Sequence, residues 1–471
     1  MNKYKRLLQN SSIFLIANFG SKLISFLLVR FYTEVLTPAE YGIIDIITTT
    51  VNLAVPIVSL CITEAVLRFS IDDIDNRKTI FSMGILTALV GNIAFTAAAP
   101  VLMGIKNFHD YVLLILLLTA TNCLYLISAH FSRGIGQSKV FAFSGLLYTI
   151  LQIGCNLLFL LVFKWGIQGY LLSTVVSSVL STAYIIVFGK IYRYVSFEFK
   201  PVYLKQMLLY SIPLIPNSAF WWIMQSSDRY VISSMMTEAD NGLYAVANKI
   251  PTIITTVSAI FFQAWQLSSV EESDSKDKKS FFSNVFNALS MVLICSTSFL
   301  MLILQPLYKL LVESSYYSGW QSTPYLLIAM VFSCFASFLG TNYVAMKKTK
   351  GAFVTTVIGA IINIVLNILL TPIWGIKGTA LATAIAFLVT WLARMIDTKK
   401  FVRIKYSSLT LIISLVILML QGTLLALGKD SVVIQAVLFT AVILLHIKLI
   451  IGLIKFGVGF IRKLFTKSTG A

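Results

Sequence analysis

Charged residues are scarce in this sequence, and acidic residues are scarcer than basic ones. Only 12% of the 471 residues are charged, whereas 58% are hydrophobic, and the mean hydropathy is +0.86. Soluble globular proteins are roughly one quarter charged, so this composition excludes a soluble chain. No polar segment is long enough to hold a separate soluble domain.

Cysteine and recognisable catalytic motifs are also sparse. The five cysteines all lie inside apolar runs, which argues against a disulfide framework. The sequence contains no phosphate-binding G-x-x-x-x-G-K-[ST] loop, no H-E-x-x-H motif and no metal-binding spacing of cysteines. We therefore expect no enzymatic activity, no catalytic residues, no metal and no cofactor. We also expect no cleavable signal, because the first apolar run is long and contains Lys22.

Apolar runs of about 20 residues, a length that crosses roughly 30 Å of hydrocarbon, recur along the whole chain. We identify fourteen and predict an all-α membrane protein. The predicted spans are 11–33, 42–66, 80–104, 110–132, 140–163, 168–190, 208–234, 242–266, 281–304, 320–346, 352–370, 375–396, 407–427 and 432–456.

The basic residues explain the formal charge of +18 without nucleic acid as a partner, because they lie in short loops between the spans. Loops on one side, together with both termini, hold 27 of the 37 Lys and Arg residues, and loops on the other side hold five. Cytoplasmic loops carry this excess in membrane proteins. We therefore predict that both termini are cytoplasmic.

The first hydrophobic hairpin, residues 11–60, returns 200 residues later. Asn156 and Asn367 match at a similar spacing, so each half of the chain carries one copy of six spans. Six is an even number, which makes the repeat parallel. We predict two six-helix bundles, 1–200 and 201–400, followed by two additional helices and a basic tail, 401–471. The matched turn residues are Thr37, Ala39, Glu40 and Gly42 in the first copy and Thr237, Ala239, Asp240 and Gly242 in the second.

Several charged residues fall inside the predicted spans. Charges in a lipid-embedded helix are costly and usually face a wet interior or a partner. Two charged hairpins, one in each half, indicate a transporter built on a cationic cavity. The residues are Lys22, Arg30 and Asp45 in the first copy and Asp228, Arg229 and Lys249 in the second.

Three segments resemble the polysaccharide transporter family, whose members include Wzx-type flippases. They are Leu36–Gly42 (LTPAEYG), Ser227–Tyr230 (SDRY) and the run 367–383 around Pro372, Gly375 and Gly378. The family belongs to the multidrug/oligosaccharidyl-lipid/polysaccharide exporter (MOP) superfamily, and the similarity extends from about residue 5 to 460. The final pair of spans resembles the fourteen-span members.

The resemblance implies a bacterial cytoplasmic-membrane flippase. Family members move undecaprenyl-diphosphate-linked oligosaccharides by alternating access, for O-antigen, capsule or exopolysaccharide synthesis. The expected partners are this lipid-linked oligosaccharide, membrane lipids, a polysaccharide polymerase and other assembly proteins.

The embedded cations then have a chemical role. Lys22, Arg229 and Lys249, together with Arg30, would replace the hydration that a diphosphate loses in a medium of low dielectric. Arg30 could instead extend to the outer interface. Asp45 and Asp228 could bind a coupling ion, or they could be structural charge partners of the cations.

Two other functions stay open. A multidrug or cation antiporter of the same superfamily should prefer an acidic cavity, whereas the embedded charge here is net positive. A membrane enzyme of polysaccharide assembly would need a large outer loop. The largest one here, 305–319, offers only Lys309 and Glu313.

Overall fold

Helices make up all the regular structure in the part of the chain that is described. The computed structural model describes residues 28–468, except for 197–198, 272–277, 346–348, 401, 403, 406 and 430. The predicted all-α class is confirmed. Backbone groups in a bilayer must be satisfied within each segment, which is why a chain of this composition folds as helices.

The helices are numbered in chain order, beginning with the helical residues 28–35 (α1). In the first half of the chain they are α2 Pro38–Val58, α3 Ile62–Asp72, α4 Arg77–Thr96, α5 Ala99–Met103, α6 Val112–Gly134, α7 Ser138–Asn156, α8 Gly166–Phe188, α9 Pro201–Ser211, α10 Ile215–Met235 and α11 Glu238–Ala247. In the second half they are α12 Pro251–Glu271, α13 Lys278–Leu302, α14 Leu304–Leu311, α15 Thr323–Ala345, α16 Thr349–Trp374, α17 Ile376–Thr398, α18 Ser408–Ala426 and α19 Val432–Ser468.

Twelve helical segments among the described residues are long and apolar enough to cross a membrane. They coincide with all the predicted spans except the first and the eighth. Most of the predicted span 11–33 lies outside the described residues. The predicted span 242–266 is helical but is interrupted at residues 248–250, between α11 and α12. The predicted span 42–66 is likewise divided, at residues 59–61.

The chain forms two compact units. One contains the described residues up to Val246 together with Leu311–Tyr316, and the other contains Ala247–Leu310 and the described residues from Tyr317 onward. The first unit therefore includes the first helices of the second sequence repeat, α9 to α11. The domain boundaries at residues 200 and 400 stay a prediction about the repeat.

Aromatic packing and one buried arginine stabilise the second unit. Trp265 is 3% exposed, stacks on Phe338 at 4.6 Å between ring centroids and donates its indole N–H to Thr341 Oγ1. Arg394, on α17, is 2% exposed. Its guanidinium donates to the Ala336 carbonyl on α15 at 2.8 Å and to two threonine hydroxyls of α16, on Thr355 and Thr356. These bonds tie three helices together.

Candidate functional site

The two hairpin turns are built in the same way. Thr37 precedes α2, and its hydroxyl accepts the backbone N–H of Glu40 while the Glu40 carboxylate accepts the backbone N–H of Thr37. Thr237 and Asp240 exchange the same pair of bonds before α11. Each reciprocal pair satisfies two backbone donors at a helix start. Each turn therefore fixes where its second helix begins.

The helices that follow these turns, α2 and α11, approach each other backbone to backbone at Gly42 and Gly242. A Cβ atom at Gly42 would collide with the Glu238 carbonyl oxygen, and one at Gly242 would collide with the Pro38 carbonyl oxygen. Asn241, which is fully buried, donates its side-chain N–H to the Gly42 carbonyl at 2.8 Å. The repeated glycines thus form a reciprocal contact between the two copies of the hairpin.

A largely buried charge cluster lies on α2 and α10. Arg229, on α10, donates from Nε to Asp45 Oδ2 at 3.2 Å and from Nη1 to Asp228 Oδ1 at 2.7 Å. The exposed fractions of the Arg229, Asp45 and Asp228 side chains are 12%, 16% and 3%. Charges buried this deeply within a span need partners. Two carboxylates from different repeats supply them.

Two further groups hold the cluster in place. The Tyr244 hydroxyl donates to Asp228 Oδ2 at 2.5 Å, and the Arg229 guanidinium lies 5.6 Å from the centroid of the Tyr244 ring. Arg229 Nη1 also donates to the Gln225 carbonyl. Asp228 therefore accepts bonds on both oxygens. Among the described residues, none accepts a hydrogen bond from Arg229 Nη2.

The structure places Arg30 in a different group, with the carboxylates of Glu34 and Glu313. Its Nε donates to Glu34 at 2.6 Å and its Nη2 donates to Glu313 at 3.0 Å. Its Nη1 donates to the Val312 carbonyl, and Thr33 Oγ1 accepts the backbone N–H of Glu313. Segment 311–316 is thereby attached to the end of α1.

Only one of the two predicted lysines, Lys249, lies within the described residues. Lys22 lies outside the described residues. Lys249 is half-buried in the interruption between α11 and α12 and belongs to the second unit. Within the described residues, no group of three or more His, Cys, Asp and Glu side chains is arranged to hold a metal ion.

Sequence reasoning missed Tyr244 and the attachment of Glu313. Tyr244 corresponds to Ile44 in the first copy, so the repeat gave no reason to select it. Glu313 lies 283 residues from Arg30, and its pairing is a tertiary contact. The signal for Glu313 was its isolation, since it is the only acidic residue in the segment 305–319, which the sequence predicts to be an outer loop.

The model of a family described as polysaccharide biosynthesis protein matches residues 7–266, more than half of the chain. Among solved structures, the lipid II flippase MurJ in an inward closed conformation is 16% identical, with a TM-score of 0.71, and the match covers 93% of this chain and 99% of MurJ.

Two transporters of the MOP superfamily also share the fold. An inward-facing multidrug resistance transporter of the MATE family is 13% identical, with a TM-score of 0.67, covering 83% of this chain and 94% of that one. A transporter from Pyrococcus furiosus, described as having a binding pocket of reverse polarity, is 13% identical, with a TM-score of 0.61 and the same coverage. No curated protein matches the sequence.

Proposed function

Because the chain belongs to the polysaccharide biosynthesis protein family of the MOP superfamily, we propose that it is a flippase for an undecaprenyl-diphosphate-linked oligosaccharide. Family and fold together support a membrane flippase. The proposal adds the substrate, the bacterial cytoplasmic membrane, the cytoplasmic termini and transport by alternating access. A polysaccharide polymerase would receive the translocated repeat unit.

The observation that carries the proposal is the guanidinium of Arg229, whose side chain is only 12% exposed. It lies within a span, and its Nη2 is not used by any described residue, while Nε is bonded to Asp45 at 3.2 Å. A guanidinium can engage two phosphate oxygens in a bidentate fork, a geometry that a lysine amine does not offer. Once Asp45 is displaced, Arg229 can therefore bind a diphosphate by donating hydrogen bonds from Nη2 and Nε to its oxygens.

This exchange would also link binding to movement. Asp45 belongs to the first repeat and Arg229 to the second, so their bond joins the two copies of the hairpin. Without substrate, Asp45 neutralises a cation whose burial would otherwise be costly. A diphosphate that takes the place of Asp45 removes this bond between the copies. The substrate itself would thus lower the barrier to rearrangement.

The other predicted cations complete the proposed route. Lys22 and Lys249 would act as point charges for the diphosphate, while the sugars occupy a hydrated interior and the polyprenyl chain stays in lipid. Arg30 would join them only after Glu34 and Glu313 release it. Asp228 keeps its role as the anchor of Arg229 throughout.

The test is flipping of a fluorescent undecaprenyl-diphosphate oligosaccharide in proteoliposomes. We expect Lys22→Gln and Lys249→Gln each to slow flipping at least about tenfold, the effect of losing roughly 1.4 kcal/mol of interaction. Lys448→Gln is the matched control, because Lys448 is an exposed lysine inside the last span. Normal flipping by both test variants would exclude Lys22 and Lys249 from the proposed cationic site and leave Arg229 as its only tested cation.

One observation favours a second candidate, a cation antiporter. The cluster contains one more carboxylate than guanidinium, and an acidic site suits a cationic substrate. Proteoliposomes with an imposed proton or sodium gradient separate the two functions. An antiporter would move a cationic dye against its gradient, whereas the proposed flippase would move the lipid-linked sugar and leave the dye in place.

A further inference from the structure

An apolar groove runs along the second unit beside α15, α17 and α18. Its volume is about 630 Å³, within the range of roughly 300–1,000 Å³ that is usual for small-molecule pockets. Phe332 and Trp391 form part of its inner wall, and α18 lines it from Ser408 to Met419. Lys399 is the only lysine among the described residues of the lining.

The groove opens on the side of the unit that faces lipid. Ile412 and Val416, on α18, are 59% and 61% exposed, and both line the groove. Exposed apolar side chains within a membrane span are in contact with acyl chains. Trp391 and Leu411, by contrast, are buried against the helices. A molecule in the groove would therefore enter directly from the hydrocarbon region.

The amine of Lys399 marks one end of the groove and is not used by the described protein groups. Its neighbour Lys400 is paired with Asp397 at 2.8 Å, whereas Lys399 makes no ion pair with any described residue. A second cavity lies at the other end of α18, and its lysine, unlike Lys399, is hydrogen-bonded to described protein groups. Its lysine, Lys377, donates to the Gln321 side chain and to a backbone carbonyl.

The length of the groove matches one leaflet of a membrane. Eleven helical steps separate Ser408 from Met419, a rise of roughly 16 Å. One leaflet contributes about half of the roughly 30 Å of hydrocarbon. Lys399 and Ser408 lie at the same end, in a region where the charge distribution predicts the cytoplasmic side.

We propose that this groove binds an anionic phospholipid of the cytoplasmic leaflet, with its phosphate against Lys399 and one acyl chain along α17 and α18. Basic pockets between membrane helices on the cytoplasmic side bind anionic head groups. The bound lipid would fill the space beside α18 and stabilise its packing on the unit. The proposal does not depend on the transported substrate, since it requires only a membrane-embedded second unit.

The experiment measures binding of dioleoyl-phosphatidylglycerol to the full-length protein in a non-ionic detergent, by native mass spectrometry. We expect Lys399→Gln to weaken binding roughly fivefold, the effect of removing one basic residue at an anionic surface. Lys400→Gln is the matched control, because Lys400 is already paired with Asp397. Its affinity should stay within about twofold of the original protein, and phosphatidylcholine should bind weakly to all three.

Variants that fill the groove provide a second, independent test of the same binding. Val416→Trp places an indole in the lining and should reduce phosphatidylglycerol occupancy, whereas Ile396→Trp changes an exposed residue of α17 outside the lining. Melting temperatures verify that each variant is folded. Unchanged binding by folded Lys399→Gln and Val416→Trp would overturn the proposal. Displacement of phosphatidylglycerol by an equimolar polyprenyl phosphate would also overturn it and assign the groove to the substrate tail.

Discussion

The two copies of the hairpin share their turns and differ in their charges. Thr37 and Thr237 cap the following helix by the same reciprocal bonds, and Gly42 meets Gly242 in a reciprocal contact. In the helices that flank these turns, the charged residues of the two copies no longer match. Arg229 stands where the first copy has Val29, and Asp45 stands where the second has Ala245. The shared residues build the scaffold, and the differing residues create the charge cluster on it.

The largest effect should come from the shared glycines. Gly42→Ala would drive a methyl group into the Glu238 carbonyl oxygen, and because a backbone atom cannot rotate away, the helices must separate. We expect a loss of about 3 kcal/mol or more in stability, measured as a large drop in the melting temperature. Gly242→Ala should have the same effect, since the contact is reciprocal.

Gly154→Ala is the control for these variants. Gly154 lies inside α7, and a Cβ atom there meets nothing within 4 Å. If Gly42→Ala and Gly154→Ala have the same melting temperature, the backbone contact between the two copies is not a determinant of the fold.

The loss of stability on replacing each aspartate of the cluster should follow its burial and the number of hydrogen bonds it accepts. Asp228 is 3% exposed and accepts bonds from Arg229 and Tyr244, whereas Asp45 is 16% exposed and accepts one bond at 3.2 Å. Asp228→Ala should therefore cost about 3 kcal/mol, and Asp45→Ala about 1 kcal/mol. Thermal unfolding in matched detergent measures both, and the reverse order would contradict the assignment of Asp228 as the anchor.

The capping residues should have equal, smaller effects. Thr37→Ala and Thr237→Ala each remove a hydroxyl that accepts a backbone N–H at a helix start. Each should lower stability by about 1 kcal/mol. A difference of more than about twofold between the two values would show that the turns are not energetically equivalent, although their geometry is the same. Thermal unfolding of the two variants, prepared side by side, gives the comparison.

The smallest effect concerns Glu238, which has no acidic counterpart in the first copy. Bonds from Lys106 and Asn107 lower its pKa. Because the pKa is lowered in the folded protein, the ionised Glu238 carboxylate stabilises the fold at neutral pH. This stabilisation begins to be lost as the pH falls below about 4.3, the usual pKa of Glu. Lys106 is 71% exposed, so solvent screens the pair.

Glu238→Gln should therefore reduce the melting temperature slightly at pH 7, and the reduction should shrink as the pH falls through the lowered pKa of Glu238. The measurement is the pH dependence of the difference between the two proteins. A difference that persists unchanged in acid would mean that the contribution of Glu238 is not electrostatic.

Much of the fold was predictable because it depends on patterns within the chain. Apolar run length identified twelve spans that are now seen as helices, and the repeat matched Asn156 with Asn367, both fully buried. Their bonds could not be predicted in the same way. Asn156 donates to Tyr32, whereas Asn367 donates to Asn363, one turn earlier on its own helix. Both copies therefore have a buried asparagine at this position, but its hydrogen-bond partner differs between them.

The sequence predicted which charged residues belong to the candidate site, but it did not predict which of them contact one another. Charge within a span selected Arg229, Asp45 and Asp228, because such residues need a partner or a wet interior. Which carboxylate meets Arg229 depends on how α2 packs against α10, and hydropathy carries no information about that packing. Arg30 was selected by the same criterion, and its partner Glu313 lies in a distant loop.

The most direct test of the proposed exchange at Arg229 is the affinity for geranylgeranyl diphosphate, a short-chain probe, measured by titration in detergent. Asp45→Asn removes the competing carboxylate and should strengthen binding roughly fivefold, whereas Arg229→Lys removes the fork and should weaken it roughly tenfold. These opposite signs are the result that the account predicts. Equal affinities in both folded variants and the original protein would contradict it, and would leave the ion pair with a structural role alone.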